Sequence, residues 1–184
     1  MACIIYEGGL PKNDCELIIN YFLNNKRFTK GIASNIFDEQ YRKSDVIFLN
    51  DKESLFENQI FELVNGFIQR ANKEFFKYNL GCITGIQFTR YKDDGHYDWH
   101  QDIFSKDVIR KENRKLSFTL CLSEPNSYEG GVLEFFNGSQ KLKLDTKSIG
   151  NIIIFDSWEW HRVTPVTGGV RYSLVSWIDG PNFV

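Results

Sequence analysis

Residues 89–102 read Thr-Arg-Tyr-Lys-Asp-Asp-Gly-His-Tyr-Asp-Trp-His-Gln-Asp, and the second half of the chain takes its sense from them. Asp93-Asp94-Gly95 is a turn signal between two strand-like runs, 83–91 and 97–102. In an extended chain alternate side chains share a face, so His100 and Asp102 are expected to project together. Further strands are read at 116–122, 151–155, 161–164 and 170–178, with a hairpin from 132–136 to 141–144 across Asn137-Gly138. Residues 103–113 are polar and read as a loop, and 125–131 as a loop closed by Gly130-Gly131.

Working upstream, the period changes from two to between three and four. Residues 53–78 carry Leu55, Ile60, Phe61, Val64, Phe67, Ile68, Ala71 and Phe75, the stripe of a long amphipathic helix that covers a sheet and is broken by Gly81. An earlier helix starts at 11–14, with Asn13 or Asp14 as cap, places Leu17, Ile18, Tyr21 and Phe22 on one face, and ends near Asn24-Asn25. Residues 2–6 read as a short strand, 28–41 as turns and loop, and 42–49 as one short extended segment. Many short strands, with helices confined to the N-terminal half, imply an α+β, mainly β fold. The expected architecture is a double-stranded β-helix, or jelly roll, braced by N-terminal helices. One domain is expected over 1–184, with helical support in 1–80 and the β core in 83–178.

The composition limits the partners. The 184 residues carry a net charge of -2, which argues against nucleic acid as the default ligand. The four cysteines, Cys3, Cys15, Cys82 and Cys121, are scattered without a C-x-x-C pair and read as reduced thiols. No run approaches a membrane span and the N-terminus does not read as a signal peptide, so a cytoplasmic location is expected.

His161 lies within Ile-Ile-Ile-Phe-Asp-Ser-Trp-Glu-Trp-His-Arg-Val-Thr-Pro-Val, residues 152–166. With His100 and Asp102 it makes two imidazoles and one carboxylate, a facial set that holds non-haem iron(II) and leaves positions open. A lone histidine is as readily a core residue bonded to a carbonyl. The ordered combination with Asp102, His161 and Arg171 favours metal ligation, since a half-buried carboxylate is rare without a partner. His96 reads as a solvent-facing turn residue, Asp98 and Asp156 as turn or supporting groups, and Trp99, Trp158, Trp160 and Trp177 as wall or packing.

Together these pieces carry a resemblance. They are Tyr91 with His100-x-Asp102, then Arg-Lys-Leu-Ser-Phe-Thr-Leu-Cys-Leu-Ser at 114–123, Glu-Gly-Gly-Val-Leu-Glu at 129–134, and His161 through Arg171 to Trp177. In that order they resemble the iron(II)- and 2-oxoglutarate-dependent dioxygenases, in the prolyl 4-hydroxylase-like branch that includes the PKHD-type hydroxylases. The resemblance implies Fe(II) on His100, Asp102 and His161, with 2-oxoglutarate and O2 taking the open positions and ascorbate as a candidate reductant. It implies oxidative decarboxylation of 2-oxoglutarate to succinate and CO2, coupled to hydroxylation of an unactivated C–H bond. Arg171 would clamp the far carboxylate through its planar fork, and Tyr91 stands where the family carries a co-substrate tyrosine. On the strand at 116–122, Ser117, Thr119 and Cys121 share a polar face, and Thr119 is the preferred second contact.

The substrate implied is a prolyl residue of a peptide or protein, with a free amino acid or other small metabolite as the alternative. Many prolyl 4-hydroxylases carry Lys where this chain has Arg171, which aligns it with the PKHD-type and oxygen-sensing branches. A nucleic-acid dealkylase would carry a second Arg six residues past the first, where this chain has Trp177. The loops at 28–44 and 103–113 are expected to wall the substrate.

Overall fold

Two antiparallel sheets carry the molecule, and the reason is visible along each strand as alternation. The computed structural model describes residues 3–32, 38–49, 54–104, 111–137, 140–142 and 146–182. In chain order the N-terminal elements are β1 (Cys3–Tyr6), α1 (Lys12–Asn25), β2 (Thr29–Lys30), β3 (Arg42–Lys43), β4 (Asp45–Leu49) and α2 (Leu55–Ala71). A π-helical turn, Asn72–Phe76, follows. The remaining strands are β5 (Ile83–Tyr91), β6 (Gly95–His100), β7 (Glu112–Cys121), β8 (Tyr128–Gly130), β9 (Leu133–Asn137), β10 (Gln140–Leu142), β11 (Ile152–Asp156), β12 (His161–Gly169) and β13 (Arg171–Pro181). They form a seven-stranded sheet, β1-β11-β7-β13-β5-β4-β2, and a six-stranded one, β10-β9-β12-β6-β3 with β8 on β12. This is the jelly roll that the residue pattern implies.

In the seven-stranded sheet the even-numbered residues of β5, β7, β11 and β13 face the helices. Phe88, Leu116, Phe118, Leu120, Ile152, Ile154, Leu174 and Ile178 pack there with Phe22 of α1 and Ile60, Val64 and Ile68 of α2. Phe22 stacks on Phe88 at 4.3 Å and 6°. Burying each such side chain fully contributes about 1.5–3 kcal/mol, which makes this layer the main source of stability. A smaller cluster, with Tyr91, Ile153 and Phe155 from one sheet and Leu133, Phe135, Val163 and Val166 from the other, joins the two sheets.

Several boundaries differ from the reading of the sequence. The first helix starts at Lys12 with Pro11 in the N-cap position; the proline side chain has no oxygen to accept a first-turn N–H, and Asn13 and Asp14 lie inside the helix, so neither caps it. The second helix starts behind Ser54, whose hydroxyl accepts from the Glu57 N–H, and stops at Ala71. The Asn72 side chain then grips both the N–H and the carbonyl of Tyr78, at 2.8 and 3.0 Å, and turns the chain away. Leu55 and Phe75, counted in the apolar stripe, lie 77% and 61% exposed. Residues 28–41, read as turns and loop, contain the two-residue β2. Residues 42–49 are two strands in different sheets: β3 pairs with β6 and β4 with β5, so the chain crosses between sheets at Ser44. Residues 128–130, read as loop, pair with β12, since a three-residue ladder leaves no periodicity to detect. The hairpin between β9 and β10 is present, with Gly138 outside the described residues. Among the described residues no helix is long and apolar enough to cross a membrane.

Candidate active site

The two histidines are brought together by register. His100 ends β6, His161 begins β12, and the two are directly paired across the sheet. Their ring centroids lie 4.1 Å apart. Each Nδ1 faces the backbone carbonyl two residues upstream, Asp98 O at 2.7 Å and Glu159 O at 2.9 Å. A carbonyl only accepts, so Nδ1 carries the proton and Nε2 presents its lone pair to the centre. Asp102 completes the set, with Oδ1 3.7 Å from His100 Nε2 and Oδ2 3.5 Å from His161 Nε2. Asp102 is not in the strand, as the alternation argument supposed: β6 stops at His100 and Asp102 lies in the bend beyond it. Its N–H donates to Ser157 O at 3.0 Å, and its Oδ2 accepts from the Ser117 hydroxyl at 2.7 Å. One donor atom from each of the three buried residues falls within 4.8 Å of the others, which suits a single ion.

The electrostatics favour a ligand-ready state. Burial, reinforced by the neighbouring His161, pushes the His100 imidazole down to about 3, so its nitrogen stays unprotonated near neutrality. Burial opposes ionisation of Asp102, but the imidazoles of His161 and His100 and the Ser117 hydrogen bond outweigh it and hold the carboxyl low.

Opposite this cluster lies a buried cation. Arg171 begins β13 beside Tyr91, the last residue of β5, and is 2% exposed. Its Nη1 donates to the Ser173 hydroxyl at 3.2 Å, Tyr91 presents a ring 5.6 Å away, and Nε has no partner. Among the described residues no carboxylate pairs with it; the groups that act on it are Cys121, Tyr128 and Tyr91. A buried guanidinium that lacks a counter-charge is costly unless a ligand supplies one. Arg171, Tyr91, Thr119, His100, Asp102 and His161 all border one cavity of about 680 Å³.

A family model for the 2OG-Fe(II) oxygenase superfamily matches residues 86–179, which takes in all of these groups. The chain belongs to this superfamily. A PKHD-type hydroxylase of Acidovorax ebreus is 39% identical over 98 residues, a match covering 50% of this chain and 42% of that protein. The chain thus spans less than half the length of the first curated relatives it matches. Two solved structures share the fold. A Pseudomonas putida prolyl-4-hydroxylase gives a TM-score of 0.76 at 18% identity, covering 98% of this chain and 93% of the other. A prolyl hydroxylase from Trichoplax adhaerens, in complex with a hypoxia inducible factor peptide fragment, gives 0.77 at 19%, covering 96% and 82%.

Membership of the superfamily implies Fe(II) and 2-oxoglutarate, and the site fits both. The three ligand atoms suit the metal, and Arg171, with no carboxylate partner among the described residues and in the same cavity, suits an acidic co-substrate. The cavity also holds residues that the sequence left among packing or loop. Trp177 is one: its buried indole N–H lacks a partner, and it continues the face of Arg171, Ser173 and Val175, a signal available in the sequence. Tyr97 stacks on His100 at 3.5 Å and 14°, with Arg42 above its other face at 4.5 Å. Arg42 had no local signal, because it reaches the cavity only through the crossing at Ser44. Arg114 donates to Asp102 O at 3.2 Å and lies 4.0 Å over Trp177. Of the two expected substrate walls, Ile32, Arg42, Ile103 and Phe104 border the cavity, whereas 33–37 and 105–110 lie outside the described residues. His96 is held by Asp94 O and Gln40 O, away from the site, and Asp156 accepts from the Tyr78 hydroxyl at 2.7 Å.

Proposed function

We propose that this chain is an Fe(II)- and 2-oxoglutarate-dependent hydroxylase acting on a prolyl residue of a peptide or protein. In this reading His100, Asp102 and His161 hold the metal, and Arg171, Tyr91 and Thr119 hold 2-oxoglutarate. The observation that carries it is the buried Arg171, with no carboxylate partner among the described residues, in the same cavity as two imidazoles and a carboxylate. With both groups bound, the centre supplies oxidative decarboxylation of 2-oxoglutarate coupled to insertion of oxygen into a C–H bond.

The protein's own contribution is positioning. Asp98 O and Glu159 O fix the imidazole tautomers, and Ser117 orients the carboxylate. Arg171 fixes one end of the co-substrate so that the other meets the open positions. The apolar residues that join the sheets, Phe135, Phe155 and Val163 among them, keep water from that end. No general acid–base pair is needed. Residues 1–184 are taken as a single oxygenase unit, with ascorbate as reductant and a cytoplasmic setting that agrees with the four free cysteines.

The peptide reading draws on the outer cavity, where Ile32 and Phe48 offer half-exposed apolar walls beside the polar Gln87. A free amino acid or other small metabolite is the second reading. Arg42, buried and bonded among the described residues to the neutral acceptors Ser44 Oγ, Ile32 O and Gln87 Oε1, would meet its carboxylate. The deciding experiment is turnover of 2-oxoglutarate to succinate by the Fe(II)-loaded protein. A proline-containing peptide capped at both ends is compared with free proline. Stimulation by the peptide supports the first reading, stimulation by the amino acid alone supports the second, and neither sinks the prolyl assignment.

A further inference from the structure

Ser157 opens the turn between β11 and β12, and this turn touches two of the three candidate ligands. Its Glu159 carbonyl faces His161 Nδ1 at 2.9 Å, and the Ser157 carbonyl accepts the Asp102 N–H at 3.0 Å. The Gln101 side-chain amide donates to the Trp158 carbonyl between them. Ser157 donates its own N–H to Lys115 O at 3.0 Å, two residues before Ser117 in β7. The backbone of this fully buried serine is thus tied to β7 on one side and to the Asp102 bend on the other.

The Ser157 hydroxyl lies 2.9 Å from that of Ser117, which in turn lies 2.7 Å from Asp102 Oδ2. A serine hydroxyl has one proton to give and two lone pairs to accept with, and an ionised carboxylate only accepts. Ser117 spends its proton on Asp102, so between the two hydroxyls Ser157 is the donor. The order of the chain is therefore Ser157 to Ser117 to Asp102 Oδ2. Each hydrogen bond polarises the next, so donation by Ser157 strengthens the bond that Ser117 makes. The chain ends on Oδ2 and leaves Oδ1, 3.7 Å from His100 Nε2, outside it.

We propose that Ser157 is a positioning residue for the metal centre: through Ser117 its hydroxyl holds the Asp102 carboxylate in one orientation, from the same turn that fixes the His161 tautomer. One short turn thereby sets two ligands, His161 through the Glu159 carbonyl and Asp102 through a chain of two hydroxyls. The Ser157 hydroxyl acts on the metal only while Ser117 is there to carry its effect. This rests on the reading of His100, Asp102 and His161 as the metal ligands.

The test is a double-mutant cycle on Fe(II) affinity, read anaerobically by competition with a chelator, with Ser157→Ala, Ser117→Ala and the two combined. Ser157→Ala keeps the backbone bonds of the turn and removes only the hydroxyl. It should weaken Fe(II) by about three- to tenfold, the worth of one neutral hydrogen bond, and by less than about twofold where Ser117 is already alanine. Equal weakening in both backgrounds, or none in either, overturns the assignment of Ser157, because a packing defect would lower affinity whether or not Ser117 is present. If Ser157→Ala does not fold, Ser157→Cys, close in size but a weak donor, takes its place in the cycle with the same outcomes. If the wild-type protein holds Fe(II) no more tightly than His161→Ala does, the metal reading falls and this inference with it.

Discussion

The two faces of the seven-stranded sheet are equally buried and chemically opposite. Toward the helices, β5, β7 and β13 present Ile86, Phe88, Leu116, Phe118, Leu120, Leu174 and Ile178, none more than 1% exposed. Toward the other sheet the same strands present Gln87, Thr89, Ser117, Thr119, Arg171 and Ser173, none more than 7% exposed. The first face is satisfied by packing alone. The second contains groups that want partners, and those without one, Arg171 Nε and the Trp177 indole N–H, gather around a single cavity. Burial of a polar face without internal satisfaction is destabilising in isolation, so such a face marks where a ligand belongs.

The sharpest way to separate the faces is to remove one group from each. His161→Ala should lower Fe(II) affinity by more than about 100-fold, beyond what a supporting contact costs, with little change in thermal midpoint. Iron content after anaerobic dialysis reads this, and retained iron would break the metal assignment. Phe88→Ala, on the helix side, should cost about 3–5 kcal/mol of stability in a denaturant titration. It should leave 2-oxoglutarate affinity of the folded fraction unchanged.

Arg171→Met probes the contrast most directly. It should weaken 2-oxoglutarate by about 10- to 100-fold, the worth of a charge-assisted hydrogen bond or two. The thermal midpoint of the ligand-free protein should not fall, because an uncompensated buried charge is replaced by a side chain of similar volume. A clear fall would mean that Arg171 is structural and the two faces differ less than their chemistry suggests. The smallest effect belongs to Ser117→Ala. Losing the 2.7 Å hydrogen bond to Asp102 Oδ2 should weaken Fe(II) by about tenfold, at the low end for outer contacts to a metal ligand. Titration against a competing chelator would read it.

Much of this contrast was legible before any coordinates. Period-two alternation of Leu116, Phe118, Leu120 and Leu122 against Ser117, Thr119 and Cys121 separated the two faces of β7, and the same alternation in β13 placed Arg171 with Ser173 and Val175. Carried two residues further, it would have placed Trp177 in the cavity. Other features left no trace in the local pattern. β2, β3 and β8 have two or three residues each, too few for a period. The crossing at Ser44 brings Arg42 over Tyr97, and nothing within a strand-length window announces a change of sheet.

The candidate ligand residues, their order along the chain, the arginine proposed as anchor and the jelly-roll class follow from the sequence itself, because side-chain chemistry and alternation are local properties. The pairing of His100 with His161 was decided by tertiary structure. So was the position of Asp102, held by Ser117 and Ser157 in a bend outside the strand. These depend on strand register and on contacts between residues far apart in the chain, and only the closed two-sheet fold brings such residues within a few ångströms of one another.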